Sequence, residues 1–260
     1  NGDGGDEIFA GYRRHVAAAQ LGRFSRVPTS VAAAAAQWLT PMARGRRSPA
    51  GLAARFARGL AMTPEDRYLA WTTDMLRDSD KQSVWLRGPQ PPTEAAIAAT
   101  LRPELSALDQ QLYSDVKLNL LSDLLVKMDM ACMARSLEGR SPLLDHELAE
   151  FVFGLPDAMR VTPRTPKALL RSSYAGLLND EVIHGAKRGF EVPMAGWLAG
   201  ELRPLVHDVL LTPSARVNSY IEADTVTRLF AGSAFGERNR AYLQYALLVL
   251  ELWLRRLPGQ

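Results

Sequence analysis

A single cysteine, Cys132, leaves this chain without any internal disulfide, so packing alone has to hold it. Cys132 lies in an apolar stretch and reads as a packed thiol rather than a nucleophile, and such sparing cysteine use fits a reducing compartment. The four histidines, His15, His146, His184 and His207, fall in no ligand spacing, which argues against a structural zinc site. No run of 18 apolar residues occurs, so no membrane-spanning helix is expected; residues 32–36 are apolar but end at Gln37. Alternating apolar and polar residues, the mark of half-buried strands, are not found either. Acids are scarce at the start. Residues 1–60 hold nine arginines against Asp3, Asp6 and Glu7, a surplus of six, while the whole chain has a surplus of three. The basic residues Arg13, Arg14, Arg44, Arg46, Arg47, Arg55 and Arg58 are not interleaved with aromatic residues. A solvated helical face is therefore favoured over a polyanion surface, and no nucleic-acid partner is expected.

What the chain does have is helical periodicity. At 260 residues and 47% hydrophobic it can bury a substantial core. Leu243, Ala246, Leu247, Leu250, Trp253, Leu254 and Leu257 recur at three and four residues, forming one stripe that stops at Pro258-Gly259. Val116, Leu120, Leu121, Leu124, Leu125, Met128 and Cys132 do the same, predicting a helix over 116–137. Asp145 precedes His146 and is placed to cap the helix that follows. The expected fold is mainly α, one domain over 1–260, with the Pro-rich stretch 88–92 as a surface loop or linker.

Three segments stand out chemically. The first twelve residues pack Asp3, Asp6 and Glu7 among Gly2, Gly4, Gly5 and Gly11. Glycines permit positive φ and close backbone approach. The loop reads equally well as an acidic site offering a base or metal ligand, or as a tight turn capping a helix from Ile8 onward. In the second segment, Lys127, Met130, Ala131, Ala134 and Glu138 would share one face of the helix over 116–137. Glu138 and Arg140 would then sit at its end, lining a cleft or forming a buried ion pair. The third, Lys187-Arg188-Gly189-Phe190-Glu191-Val192-Pro193, sets two cations in a loop, either solvated or able to reach phosphate oxygens.

In this order the segments resemble the C-terminal part of the glutamine-dependent asparagine synthetase family. The opening is similar to its Gly-Asp/Glu-Gly-(Gly/Ser)-Asp-Glu…Phe-Gly-Gly-Tyr loop, with Ala10 in place of a common glycine. The stretch 123–146 is similar to its Asp-Leu-Leu-Val-Lys-x-Asp…Ser-Leu-Glu-x-Arg-x-Pro-Phe-Leu-Asp-His run, and Met130 stands where many members carry Arg or Lys. Pro166-Lys167-Ala168-Leu169-Leu170-Arg171 resembles its Lys-x-Leu-Leu-Arg helix, and the third segment its Lys-x-Gly-Phe-x-Val-Pro loop. The likeness runs from residue 1 to about 256.

The resemblance implies the helical C-terminal portion of an adenine-nucleotide α-hydrolase-like, Rossmann-like α/β synthetase domain. Its sheet and Ser-Gly-Gly-x-Asp-Ser nucleotide loop would lie mostly upstream, together with a glutaminase domain. It implies ATP and Mg2+ as cofactors, with aspartate and glutamine-derived ammonia as substrates. Asp3 matches the proposed base toward ammonia, and Lys187 the loop lysine that neutralises phosphate charge. Glu138 and Arg140 match the pair at the aspartyl-adenylate site. Asp6 matches the acid near magnesium pyrophosphate. Gly2, Gly4, Gly5 and Arg188 would contact substrate or nucleotide. A cytoplasmic, homodimeric parent is implied, and the fragment alone is expected to be inactive. A paralogue amidating or cyclising another carboxylate, or a non-catalytic partner-binding module, are the alternatives.

Overall fold

The computed structural model describes residues 1–43, 48–72, 76–163, 165–185, 192–235 and 240–257. Helices account for its regular structure. In chain order they begin with α1 (Gly5–Ile8), α2 (Arg13–Gln20), α3 (Thr29–Leu39), α4 (Pro49–Leu60) and α5 (Pro64–Thr72). There follow α6 (Asp78–Val84), α7 (Thr93–Ala98) and α8 (Ala107–Ser114), the last continuing through a π-helix (Asp115–Leu124) into α9 (Leu125–Met133). A 3-10 turn (Pro142–Leu144) leads to α10 (His146–Phe153), α11 (Asp157–Arg160), α12 (Ala168–Ser173) and α13 (Asp180–His184). The chain ends with α14 (Met194–Ala199), α15 (Arg203–Val209), α16 (Ala223–Ala231) and α17 (Arg240–Leu254). Among the described residues β pairing is confined to two isolated bridges, Trp85 with Ile221 and Ala175 with Leu178.

The packing divides into two compact units: Asn1–Thr72 with Ala95–Ala186, and Thr73–Glu94 with Lys187–Gln260. The second is built on the stripe of α17. Leu243, Leu247, Leu248 and Leu254 bury against Val206, Leu210, Val217, Val226 and Leu229 in one continuous apolar core. Each such side chain removed from water contributes roughly 1.5–3 kcal/mol. Glu251 interrupts the stripe yet is fully buried. Its carboxylate accepts the Val217 N–H at 2.7 Å and the Arg255 Nε–H at 2.7 Å, which satisfies the charge. The stretch 88–92 is a mostly exposed loop between α6 and α7.

The first unit is cored differently. Among the described residues its apolar clusters are four small ones, around Leu108 and Leu112, Ile8 and Phe9, Trp71, and Tyr68 and Leu69. Between them lie the buried polar residues Glu7, His15, Gln111, Ser114, Asp115 and Arg160. Arg160, 1% exposed, is paired with Asp109 at 2.6 Å and Asp157 at 2.5 Å.

Two helix ends differ from the periodic expectation. The predicted helix from Ile8 onward does not form. α1 stops at Ile8, Ala10 adopts φ 54°, and the Gly11 N–H returns to the Asp6 carbonyl at 2.8 Å. A left-handed alanine costs about 1 kcal/mol relative to glycine, so replacing the family's common glycine here is more than a small change. The predicted helix over 116–137 likewise ends early. Ser136 takes φ 55° and the Leu137 N–H bonds the Cys132 carbonyl at 3.1 Å, a closing turn of the Schellman type. Glu138 is therefore off the helix and shares no face with Lys127.

Candidate functional site

The first unit brings the opening loop against the segment 139–145. Gly4, at φ 80°, caps α1 in the left-handed region. A Cβ at Gly4 would lie 2.0 Å from Leu144 Cδ2, and one at Gly5 would lie 2.8 Å from Leu143 Cδ1. The close approach that these glycines permit is thus taken up by the Pro142–Leu144 turn, while Gly2 faces open space. Ser141 Oγ donates to Asn1 Oδ1, which in turn accepts the Asp3 N–H at 3.2 Å. Asp145 caps α10 as expected, accepting the Leu148 N–H at 3.1 Å.

Two motif acids sit on this loop in contrasting settings. Asp3 is half-buried, and its Oδ2 is shielded from solvent with no hydrogen bond among the described residues. Asp6 is ion-paired with Lys167 at 3.0 Å. Lys167 lies at the start of α12 in a left-handed conformation, φ 54°, and its N–H reaches the Ala10 carbonyl at 3.4 Å. A left-handed backbone in a residue other than glycine costs energy, and the surrounding contacts hold Lys167 in it. The sequence alone does not mark Lys167 as the partner of Asp6; the motif 166–171 predicts only a helix.

Glu138 and Arg140 form an ion pair at 3.0 Å, but both are largely exposed, so the buried-pair alternative does not hold. α9 has no buried residue, and Val126, Met130 and Met133 face outward. Lys187 and Arg188 lie outside the described residues, as do Arg44, Arg46 and Arg47.

Beneath the loop is a buried polar layer. Tyr12 donates its hydroxyl to Glu7 at 2.6 Å, and Asn119 Nδ2 approaches the same Glu7 oxygen at 3.4 Å. The Tyr12 N–H reaches His15 Nδ1 at 3.4 Å, leaving the ring proton on Nε2, which lies 2.6 Å from Asp115. Asp115 also accepts Arg14 Nε–H at 2.9 Å and the Tyr68 hydroxyl at 2.9 Å. Arg14 lies over the Tyr12 ring, so it belongs to this layer and not to a solvated face. Burial lowers the pKa of His15, outweighing Asp115, so the imidazole is neutral. Burial pushes Asp115 up, but the His15 bond and the Arg14 guanidinium overcome this and hold it below the ordinary carboxylate range. Burial raises Glu7, although the Tyr12 bond opposes the rise. Burial and the bonds to carboxylates raise both Tyr12 and Tyr68.

Among the described residues no group of three or more His, Cys, Asp or Glu is placed to hold a metal ion. Mg2+ commonly takes one or two carboxylates and fills its remaining positions with phosphate oxygens and water. Asp6 fits that minimal role, in competition with Lys167.

Comparison with known proteins finds relatives along nearly the whole chain. The chain is 26% identical over 257 residues to asparagine synthetase [glutamine-hydrolyzing] 1 of Bacillus subtilis, covering 97% of this chain and 39% of that relative. A Mycobacterium bovis protein bearing the same family name is 28% identical over 258 residues, covering 97% of this chain and 38% of its own length. Asparagine synthetase [glutamine-hydrolyzing] 3 of Bacillus subtilis is 33% identical over 78 residues, 30% of this chain and 13% of that protein. No solved structure matches. The chain thus spans about two fifths of the length of the longer-matching relatives. The family model described as Asparagine synthase matches residues 1–255, and the chain belongs to the asparagine synthase family.

Proposed function

We propose that these residues form part of the synthetase centre of an enzyme that amidates aspartate with ATP, the ammonia coming from glutamine. The observation that carries this reading is the seating of the Asp3–Asp6 loop on the turn that follows the Glu138–Arg140 pair. In the proposed reaction the aspartate β-carboxylate attacks the α-phosphorus of ATP and pyrophosphate leaves. Ammonia then attacks the acyl carbon, AMP leaves, and a base removes the surplus proton.

Asp3 is that base in this scheme, because its shielded oxygen lacks a competing donor among the described residues. Lys187 and Arg188 supply positive charge to the phosphates, and Lys167 holds Asp6 until phosphate arrives. Glu138 and Arg140 flank the acyl adenylate. Gly2, Gly4 and Gly5 shape the loop that meets it. Mg2+, when bound with the nucleotide, supplies charge neutralisation, with Asp6 as its protein ligand. The remaining parts of the scheme are a Rossmann-like sheet, a glutaminase domain and a cytoplasmic, homodimeric parent. The Ser-Gly-Gly-x-Asp-Ser loop does not occur in the 260 residues, so in this scheme they do not activate aspartate by themselves.

Lys187→Ala in the full-length parent tests the assignment. Aspartate-dependent ATP–pyrophosphate exchange is expected to fall about 100-fold while glutamine hydrolysis persists. Exchange at the wild-type rate would remove Lys187 from the chemistry, and exchange with a different carboxylic acid would point to a paralogous acyl substrate.

A further inference from the structure

The loop acids stand on a circuit of hydrogen bonds, closed through the backbone at Tyr12 and along the π-helix, that the proposed chemistry does not use. Glu7 is bonded by Tyr12, and the Tyr12 N–H meets His15 Nδ1. His15 Nε2 meets Asp115, and from Asp115 the chain runs four residues along the π-helix to Asn119, which returns to Glu7. His15 and Asp115 are both fully buried, so this path is shielded from water.

π-helices are rare, and they mark functional segments more often than chance. Adding or losing one residue in a helical ladder turns everything beyond it by about 100°. The π-helix Asp115–Leu124 therefore decides where α9, and beyond it Glu138 and Arg140, face. Asp115 and Asn119 are the two points at which the circuit grips that helix, and Glu7 and His15 are the points at which it grips the loop side.

We propose that His15 is a positioning residue, which through Asp115 keeps the π-helix in register with the loop that carries Asp3 and Asp6. Arg14 also joins Asp115 to Tyr12, through its bond and its place over the Tyr12 ring, but His15 is the fully buried link, bonded to both Asp115 and the Tyr12 backbone. For catalysis the inference rests on the functional reading above, because a displacement on the order of 1 Å at such a site costs roughly 100-fold in rate.

The test compares His15→Leu, which removes both links, with His15→Gln, whose amide N–H still reaches a carboxylate. In the full-length synthetase, His15→Leu is expected to lower kcat for ATP–pyrophosphate exchange about 10- to 100-fold. KM for ATP should stay within about twofold, and His15→Gln should regain most of the loss. Unchanged kcat in a folded His15→Leu protein overturns the proposal. So does a loss that only follows the folded fraction seen by circular dichroism and is not relieved in His15→Gln. If the wild-type parent shows no exchange, the functional reading has failed, and positioning is judged on this chain by amide hydrogen exchange. His15→Leu should then speed exchange at residues 2–6 and 115–124, and His15→Gln should restore it. Equal exchange in all three proteins would overturn the inference.

Discussion

The two units of this chain solve the problem of stability in opposite ways. Among the described residues, Thr73–Glu94 with Lys187–Gln260 rests on one apolar cluster organised by α17, and its buried carboxylates, Glu251 and Asp78, are both satisfied. Among the described residues, Asn1–Thr72 with Ala95–Ala186 has small apolar clusters and buries beside them a neutral histidine, a charged aspartate and a protonation-prone glutamate. Hydrophobic burial is nondirectional and tolerates repacking. Buried hydrogen bonds tolerate neither displacement nor loss of a partner. The unit carrying the motif acids therefore uses the interactions that define position most sharply.

The sharpest break in that contrast should come from Asp115→Ala. It strands His15, Arg14 and the Tyr68 hydroxyl without their common acceptor, and such a loss inside a protein costs about 3–5 kcal/mol. Urea unfolding of the chain should show it as a transition moved to lower denaturant, and a shift below about 1 kcal/mol would mean the layer is not under tension. A cavity mutation in the other unit, Leu229→Ala, should cost about 3 kcal/mol, since Leu229 is 1% exposed. Intrinsic fluorescence during the same titration reads it, and the loss should scale with the methyl groups removed, as Leu229→Val would show.

The smallest effect is one of pH. His15 has its folded pKa lowered from 6.5, so below about 6.5 the unfolded chain binds the extra proton and stability falls with pH. Glu7 has its pKa raised from 4.5, so the folded chain holds a proton above 4.5 and stability falls as pH rises through that window. The groups that act on His15 are Asp115, Arg14, Asp6 and Tyr12. The melting temperature should drop between about pH 7.5 and about 5.5 in the native chain and stay nearly level in His15→Gln. An equal drop in both proteins would assign the titration elsewhere.

The motifs were legible in the sequence because their residues are contiguous, and the helical stripe of α17 was legible because its period is local. The circuit was not. His15 and Asp115 are 100 positions apart, and neither breaks the surrounding pattern. The π-helix was hidden for a related reason: Val116, Leu120, Leu121 and Leu124 have spacings that an α-helix accepts equally well, and the difference lies in the ladder, not in the side chains. Lys127 and Glu138 were read onto one face because nothing in the composition of 134–137 announces a left-handed serine. Lys167 was visible as a letter in a motif, but its partner, Asp6, could be assigned only once the chain had folded back.

The interlock of Gly4 with Leu144 has a consequence in time as well as in space. Asn1 and Ser141 meet across 140 positions, so the opening loop finds its seat only after the long intervening segment has been closed, at an entropic cost that grows with its length. Contacts of such high sequence separation slow folding. During synthesis Gly4 would lack its seat until Leu144 appears, and Asp6 would lack Lys167 until later still.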